Sequence, residues 1–492
     1  MTQTAPHHLP EPGRNCFRIE TAERMSVIVD ADAYFRVARA AMLNAKKRIT
    51  LVGWDFDARI TLGHDGDDEG PRKLGPFITW LVERNPDLEI FLLRWDVGGL
   101  STLFRGTTIF TLMKWMAHPR IHTKLDRVHP IASSHHQKIV VIDDCLAFCG
   151  GIDMTADRWD TREHAPKDER RRRPSGARYK PWHDATTAIS GPMTKAIAEI
   201  CRERWKTAGG APELTPVEGV SACWPEGLDA HFQALPVAVS RSAPEVEGRP
   251  PVHEIEALYL DQIARAKRFI YAESQYFASR RIAEAIARRL DEPGGPEVVV
   301  INPVTAQGWL EPIAMDTARA RLVEALRRRD RDGRFRMYHP FNAGGEAIYV
   351  HAKVLVVDDR ILRVGSSNMN NRSMRLDTEC DVTVDADLGG GTAVSDRIAA
   401  IRNDLLAEHL GTDPARVAAL LDQTGSLVAT IEALRGEGRT LRPYEAPELT
   451  AIEEWLADNE VLDPEGPEEM FEPLSGRGLF RNWRRRRRHR RA

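Results

Sequence analysis

His136-Gln137-Lys138-Ile139-Val140-Val141-Ile142-Asp143-Asp144 decides the reading of this chain, because its pattern occurs twice. The second copy is His351-Ala352-Lys353-Val354-Leu355-Val356-Val357-Asp358-Asp359. The match runs on without a gap, so that Gly150-Gly151-Ile152-Asp153-Met154 aligns with Gly365-Ser366-Ser367-Asn368-Met369. Four consecutive apolar residues between polar ones read as a short strand buried on both faces. Alternation along the chain puts His136 and Lys138 on one side, and His351 and Lys353 likewise. A single His-x-Lys is a common surface accident. Two copies with matched strands and matched downstream turns ask for more than packing.

Outward from the motif, the similarity widens. Ala45-Lys46-Lys47-Arg48-Ile49-Thr50-Leu51 resembles Ala266-Lys267-Arg268-Phe269-Ile270-Tyr271, a helix-to-strand junction ahead of each motif. Apolar spacing predicts a helix over 31–45 and strands over 48–54, 88–95, 138–142 and 184–190. The pattern restarts with strands over 237–239, 268–272, 298–301 and 354–357, and a helix over 253–267. This is the duplication of a whole domain. The expected class is α/β, with two similar α/β/α mixed-sheet domains related by a pseudo-twofold axis and an active site between them. The expected boundaries are a flexible leader over 1–20, a first half over 21–210 and a Pro/Gly-rich linker over 211–235. A second half over 236–410 is followed by a helical extension and Arg-rich tail over 411–492.

The chain has 492 residues, 42% hydrophobic and 29% charged, with a formal net charge of −3. That composition is globular and carries no overall field for nucleic acid. No uncharged apolar run is long enough to cross a membrane, and the polar, Pro-rich start lacks the apolar core of a secretory signal. The six cysteines lack a CxxC pairing and are expected to stay reduced and buried. The expected location is cytoplasmic, with peripheral attachment to the inner face of a membrane.

Histidine suits nucleophilic or acid–base work near neutral pH, and lysine supplies a cation for a phosphate oxygen. A Gly-Gly or Gly-Ser turn turns backbone N–H groups toward an anion. Two such faces meeting across a pseudo-twofold axis would set two imidazoles and two ammonium groups around one phosphorus. Each His also needs an acceptor to fix its ring. Asp184 and Glu379, each opening the strand that follows its own motif, are the candidates, with Glu163 the competitor in the first half. Asp143 and Asp358 are included among the candidate catalytic residues, although their place directly after the strand suits support of the turn. The aligned Asp153 and Asn368 show that the halves are not chemically equivalent.

This constellation resembles the phospholipase D superfamily over roughly residues 25–405. Gly150-Gly151-Ile152-Asp153, Arg158 to His164 (RWDTREH), Pro181-Trp182-His183-Asp184, Ile270 to Phe277 (IYAESQYF) and Gly365 to Met374 (GSSNMNNRSM) resemble its eukaryotic-type, lipid-acting branch. The resemblance implies that His136 attacks phosphorus to give a phosphohistidine. His351 would protonate the leaving alcohol and then deprotonate water or another alcohol. Lys138, Lys353, Asn368, Ser366 and Asp153 would line the phosphate. The implied substrate is a glycerophospholipid at a membrane surface, cleaved at the head-group bond to phosphatidic acid or exchanged with an alcohol. No cofactor or metal is expected, and His135, His164 and His183 show no ligand spacing with Cys. With both motifs in one chain, a monomer suffices.

Rival readings are a cardiolipin-synthase-like transferase, a nuclease-type phosphodiesterase and a non-catalytic lipid-binding protein. Intact motifs argue against the last, and the near-neutral charge argues against nucleic acid. Only about two dozen residues precede the first half, so the N-terminal lipid-binding modules of larger relatives are not expected. Arg484–Arg491 reads as a contact for anionic lipid, a nucleic-acid tail or a solvated terminus. Arg170–Arg173 reads as a solvated loop. Trp54, Trp95 and Trp159 read as core.

Overall fold

The computed structural model of the chain describes residues 10–64, 69–95, 108–130, 133–221, 223–246, 248–306 and 315–446. The end of the helical extension, from residue 447, and the Arg484–Arg491 segment lie outside them. The first half runs β1 (Arg18–Val29), α1 (Ala31–Leu43), β2 (Arg48–Gly53), α2 (Leu74–Arg84), β3 (Glu89–Trp95), α3 (Thr108–Met116), β4 (Ile121–Asp126), β5 (Ile139–Ile142), β6 (Leu146–Gly150), β7 (Trp182–His183), β8 (Ala185–Ser190) and α4 (Pro192–Thr207). The second runs β9 (Phe232–Ala243), β10 (Val252–His253), α5 (Glu254–Arg265), β11 (Phe269–Glu273), α6 (Arg280–Asp291), β12 (Glu297–Ile301), α7 (Thr317–Arg329), β13 (Phe335–Phe341), β14 (Tyr349–Val350), β15 (Val354–Val357), β16 (Ile361–Gly365), a π turn (Arg372–Leu376), β17 (Glu379–Asp385) and α8 (Gly391–Leu410). The extension adds α9 (Pro414–Thr424), α10 (Leu427–Leu434) and β18 (Thr440–Pro443).

Outward from a central β1–β9 pair, one half of the sheet is ordered β1-β8-β6-β5-β2-β3-β4 and the other β9-β17-β16-β15-β11-β12-β13-β18. The strand order repeats position by position, so the duplication read in the sequence is present in the topology. The outer strands β2, β3 and β4 are parallel, while β5, β6, β8 and β1 are antiparallel. The two sheets expected side by side are one continuous sheet. Two long strands of 12 residues each, β1 and β9, pair antiparallel and satisfy backbone groups that separate sheets would leave at open edges. The leader is therefore shorter than expected, and the linker ends where β9 begins. Residues 440–443 join the sheet as β18, a strand that the helical reading of the extension missed.

Alternation along β5 and β15 feeds three cores. Ile139, Val141, Val354 and Val356 enter one cluster that spans both halves beneath α4 and α8. Val140 and Ile142 pack with α1 and α2 on the opposite face, and Leu355 and Val357 with α5 and α6. Each motif strand is thus buried on both faces, which explains its unbroken apolar run.

Asp143 and Asp358 sit in the hairpin turns after β5 and β15, with φ of 51° and 54°. Asp143 accepts hydrogen bonds from the amides of Lys46, Lys47 and Arg48 at 2.6–2.7 Å. Asp358 accepts from Lys267, Arg268 and Phe269 at 2.7–2.9 Å. These are the two junctions that resemble one another in sequence. Seven residues of extended chain separate His136 from Asp143, about 20 Å. A direct catalytic role for Asp143 or Asp358 is therefore corrected: each ties its turn to the neighbouring strand.

Two further expectations are overturned. Cys145, in the β5–β6 turn, is disulfide-bonded to Cys223 in the linker, with Cα atoms 5.9 Å apart. Cys16, Cys149, Cys201 and Cys380 are free and buried. Spacing could not reveal a pair 78 residues apart that only the folded linker brings together. Arg171, read as part of a solvated loop, is buried and ion-paired to Asp160 at 3.0 Å. No helix among the described residues is long and apolar enough to cross a membrane.

Asp143→Ala should lower unfolding free energy by about 3 kcal/mol, as three charge-assisted amide bonds to a buried carboxylate are lost. Turnover per folded molecule should be unchanged. Denaturant titration beside an active-site titration checks both, and a selective loss of turnover would restore a chemical role to Asp143.

Candidate active site

The two halves exchange backbone across their junction. The segment ahead of β5 runs beside the segment ahead of β17: Thr378 donates its amide to Ser134 O at 3.0 Å, and His136 donates to Thr378 O at 3.0 Å. The mirrored exchange pairs β14 with β7, and His351 donates its amide to His183 O at 2.8 Å. Each motif histidine is therefore delivered to the strand start of the opposite half.

His136 Nδ1 lies 3.0 Å from both carboxylate oxygens of Glu379. His351 Nδ1 lies 2.7 Å from Asp184 Oδ2. Both carboxylates expected to hold a histidine are at the rings, but each serves the other half's motif. Glu163, the competitor, is exposed. The imidazole centroids are 6.4 Å apart, close enough for one tetrahedral phosphorus to lie between the two free Nε2 atoms.

Lys138 and Lys353 turn their ammonium groups back onto the carbonyls of His136 and His351. Lys138 Nζ is 3.3 Å from Asp153 Oδ2, and Asp153 Oδ1 accepts from the Trp54 amide at 3.1 Å. Asp153 is thus corrected from a phosphate ligand to the counter-ion of Lys138, since one carboxylate would repel another anion. In the second half Asn368 Nδ2 and Lys353 Nζ both approach Gln275 Oε1 at 3.4 Å. Asn368 Oδ1 is buried without a hydrogen-bond partner among the described residues. Ser366 is also corrected. Its hydroxyl donates to Glu379 Oε2 at 2.5 Å, and Ser373 donates to Oε1 at 2.7 Å. Ser366 therefore orients the carboxylate and does not face the cleft. Its counterpart is Gly151, where a Cβ would lie 2.1 Å from Asp184 Oδ1. The shorter Asp184 needs that space.

Burial dominates the electrostatics. Both imidazoles are held well below the ordinary histidine value, first by desolvation and then by Lys138 and Lys353. Burial pushes Asp184 up to about 6 and Glu379 up to about 8, against the pull of Lys353 and Lys138 respectively. Lys353 is lowered to about 7 by burial, with Lys138 and Arg158 adding to the effect.

Two neighbours were quoted in the sequence blocks without a role. Trp182 lies against His351, with ring centroids 5.2 Å apart, and stacks on Tyr349 at 4.6 Å. The Arg158 guanidinium lies 4.4 Å over Trp182, a third cation beside Lys138 and Lys353. An arginine 22 residues beyond its motif carried no local signal. Trp159 is core as expected, while Trp54 and Trp95 are half-buried and stacked at 5.9 Å. His164 and His183 meet carboxylates and no cysteine: Asp30, His164, His183 and Glu408 converge, and so do His183, Glu273 and His409. His135 goes elsewhere, to Asp126 at 3.1 Å.

A family model described as phospholipase D matches residues 41–283, and one described as cardiolipin synthase, PLD-like domain, matches residues 259–400. The chain is 24% identical over 477 residues to phospholipase D A of Dictyostelium discoideum, covering 79% of this chain and 36% of that protein. It is 23% identical over 486 residues to phospholipase D alpha 4 of Arabidopsis thaliana, covering 75% and 62% respectively. The chain thus spans about a third to two-thirds of the length of these relatives. A phosphatidylserine synthase structure from Haemophilus influenzae shares the fold, with a TM-score of 0.51 at 14% identity over 84% of this chain and 96% of that one.

Glu379→Gln should alter the ring-nitrogen resonances of His136 and leave those of His351 in place, and Asp184→Asn should do the reverse. Each should lower turnover of an activated phosphodiester by about 10²–10⁴-fold, the range of an orienting carboxylate in a His-dependent site. Labelled-histidine NMR showing the pairing within each half would contradict the exchange.

Proposed function

The chain belongs to the phospholipase D superfamily, and from that membership we propose that it cleaves or exchanges the head-group phosphodiester of glycerophospholipids through a phosphohistidine. The observation that carries this is the pair of carboxylate-held imidazoles facing one another at 6.4 Å. In the first step His136 Nε2 forms a bond to phosphorus as the bond from phosphorus to the head-group oxygen breaks. A proton carried by His351 goes to that oxygen. In the second step water or an alcohol gives its proton to His351, its oxygen bonds to phosphorus, and the bond to His136 breaks. Lys138, Lys353 and Asn368 stabilise the charge on the non-bridging oxygens. Burial and the neighbouring cations lower His351 in the free protein, and an arriving anion opposes that, favouring the Nε2 proton that His351 takes up and then gives to the leaving oxygen.

A lipid substrate is favoured over nucleic acid by one surface feature. Phe110, Met113 and Met116 are 71%, 62% and 73% exposed on α3, while Trp115 on the same helix is buried. Large apolar side chains gathered on one helix suit an acyl layer.

The deciding assay mixes the protein with vesicles of phosphatidylcholine, phosphatidylethanolamine and phosphatidylglycerol and a primary alcohol, and reads products by mass spectrometry. A phosphatidyl-alcohol that disappears in His136→Asn is the expected result. Cardiolipin in excess of phosphatidic acid would move the reading to a synthase, and no lipid product from folded protein would overturn it. In the same assay, serine at Phe110, Met113 and Met116 should weaken vesicle binding while sparing a soluble short-chain substrate.

The pH dependence has a defined sign. The Lys353 ammonium, lowered to about 7 by burial, is present below that pH and lost above it. kcat/KM should therefore fall as pH rises through about 7. A bound phosphodiester stabilises the ammonium, so kcat should fall only at higher pH. Lys353→Arg, which keeps its charge, should abolish the alkaline decline in what activity remains. An unchanged decline would assign it to another group.

A further inference from the structure

Behind the His351 side of the cleft, four side chains between 0 and 4% exposed turn polar atoms toward one point: Asp30, His164, His183 and Glu408. Asp30 ends β1, His164 lies in the loop after β6, His183 is on β7, and Glu408 comes from α8 of the other half. His164 Nε2 is 3.6 Å from Asp30 Oδ2 and 3.2 Å from Glu408 Oε1. His183 Nδ1 is 2.7 Å from the same Glu408 oxygen and 3.3 Å from Asp30 Oδ1. Ligands about 2.0–2.1 Å from a tetrahedral zinc ion stand roughly 3.4 Å apart. With Asp30 Oδ2 and Glu408 Oε1 as the ligand oxygens, the 3.6 and 3.2 Å edges to His164 are near that value, the 2.7 Å edge to His183 must open, and all four ligand atoms lie within 4.8 Å of one another.

Two independent features point to a cation. Asp30 Oδ2 is buried and aimed into the cluster, yet has no hydrogen-bond partner among the described residues. The far nitrogen of each histidine is held by an outer carboxylate, His164 Nδ1 by Asp160 at 3.0 Å and His183 Nε2 by Glu273 at 2.9 Å. That carboxylate–histidine pairing is how protein-bound metals orient imidazole ligands. The outer carboxylates are themselves fixed. Arg171 and the Trp182 amide bind Asp160, while Tyr271 and His409 hold Glu273. Arg162 takes the second oxygen of Glu408, leaving Oε1 turned inward.

We propose that these four side chains bind a divalent metal ion, zinc by donor set and closed coordination, that joins the two halves and positions the catalytic pair. Two imidazoles and two carboxylates around a divalent ion give a neutral, fully enclosed site with no open position. That is a structural arrangement and not a catalytic one. Its link to the chemistry is short. His183 precedes Asp184, and Asp30 Oδ1 accepts the Asp184 amide at 3.1 Å. Asp184 in turn holds His351. The residues of this cluster are positioning residues and touch no substrate.

The test is metal analysis of the full chain purified without an affinity tag, and it does not depend on lipid activity. About one equivalent of zinc per chain is expected, falling sharply in Asp30→Asn and Glu408→Gln. Asp160→Asn should weaken zinc affinity by about 10–100-fold, the usual effect of removing an outer carboxylate. Zinc-edge absorption spectroscopy should give two nitrogen and two oxygen neighbours. If the variants do not fold, the wild-type chain still decides the matter. Removing the ion with a strong chelator should lower Tm, and zinc alone should restore it. Another divalent transition ion at one equivalent with the same ligands supports the site and changes only the ion. Folded, metal-free protein whose Tm does not respond to zinc would show that protons alone hold the cluster together.

Discussion

The exchange of histidine partners between the halves is the constraint on which the rest depends. His136 is fixed by Glu379 of the second half, and His351 by Asp184 of the first. Neither half alone contains a motif histidine with its orienting carboxylate. The backbone bridges from 134 to 378 and from 183 to 351 carry this exchange. They also require the halves to be registered edge to edge, which the β1–β9 pair provides. Shared sheet, shared core beneath α4 and α8, and divided catalytic pairs form one arrangement.

Within that frame burial does most of the electrostatic work. Two imidazoles, two ammonium groups and the carboxylates of Asp153, Asp184 and Glu379 lie together, and desolvation holds both imidazoles well below the ordinary histidine value. A site whose imidazoles are held low and whose Lys353 is lowered to about 7 responds to the arrival of an anion. The asymmetry between Asp153 and Asn368 sets the two halves apart: one lysine has its own carboxylate at 3.3 Å, while the other faces an amide. The same principle reaches into the cluster of Asp30, His164, His183 and Glu408, where charge is enclosed at the back of the catalytic pair.

Much of this was legible along the chain. The two motifs, their buried strands and the junctions at 45–51 and 266–271 lie within short windows, where residue spacing and local chemistry suffice. Less legible were features made by distant segments. The leader was read to end at residue 20, but a central strand begins at Arg18, and its pairing partner lies some two hundred residues away. Arg171 read as solvated because its neighbours in sequence are charged, but Asp160 draws it inside. The Cys145–Cys223 bond and the approach of Arg158 to Trp182 have the same origin.

The sequence by itself determined that the chain is a duplicated α/β unit, that the His-Lys pairs carry its chemistry, and that Asp184 and Glu379 are the carboxylates to watch. Periodicity and repetition are local properties, and they survive in a linear text. Only the tertiary structure decided which carboxylate serves which histidine, that Ser366 and Asp153 face protein groups, and that His164 and His183 meet two carboxylates in the interior. Those outcomes depend on which strand edges pair. Edge pairing is chosen by the burial of whole faces and the satisfaction of whole ladders, which no short window of residues contains.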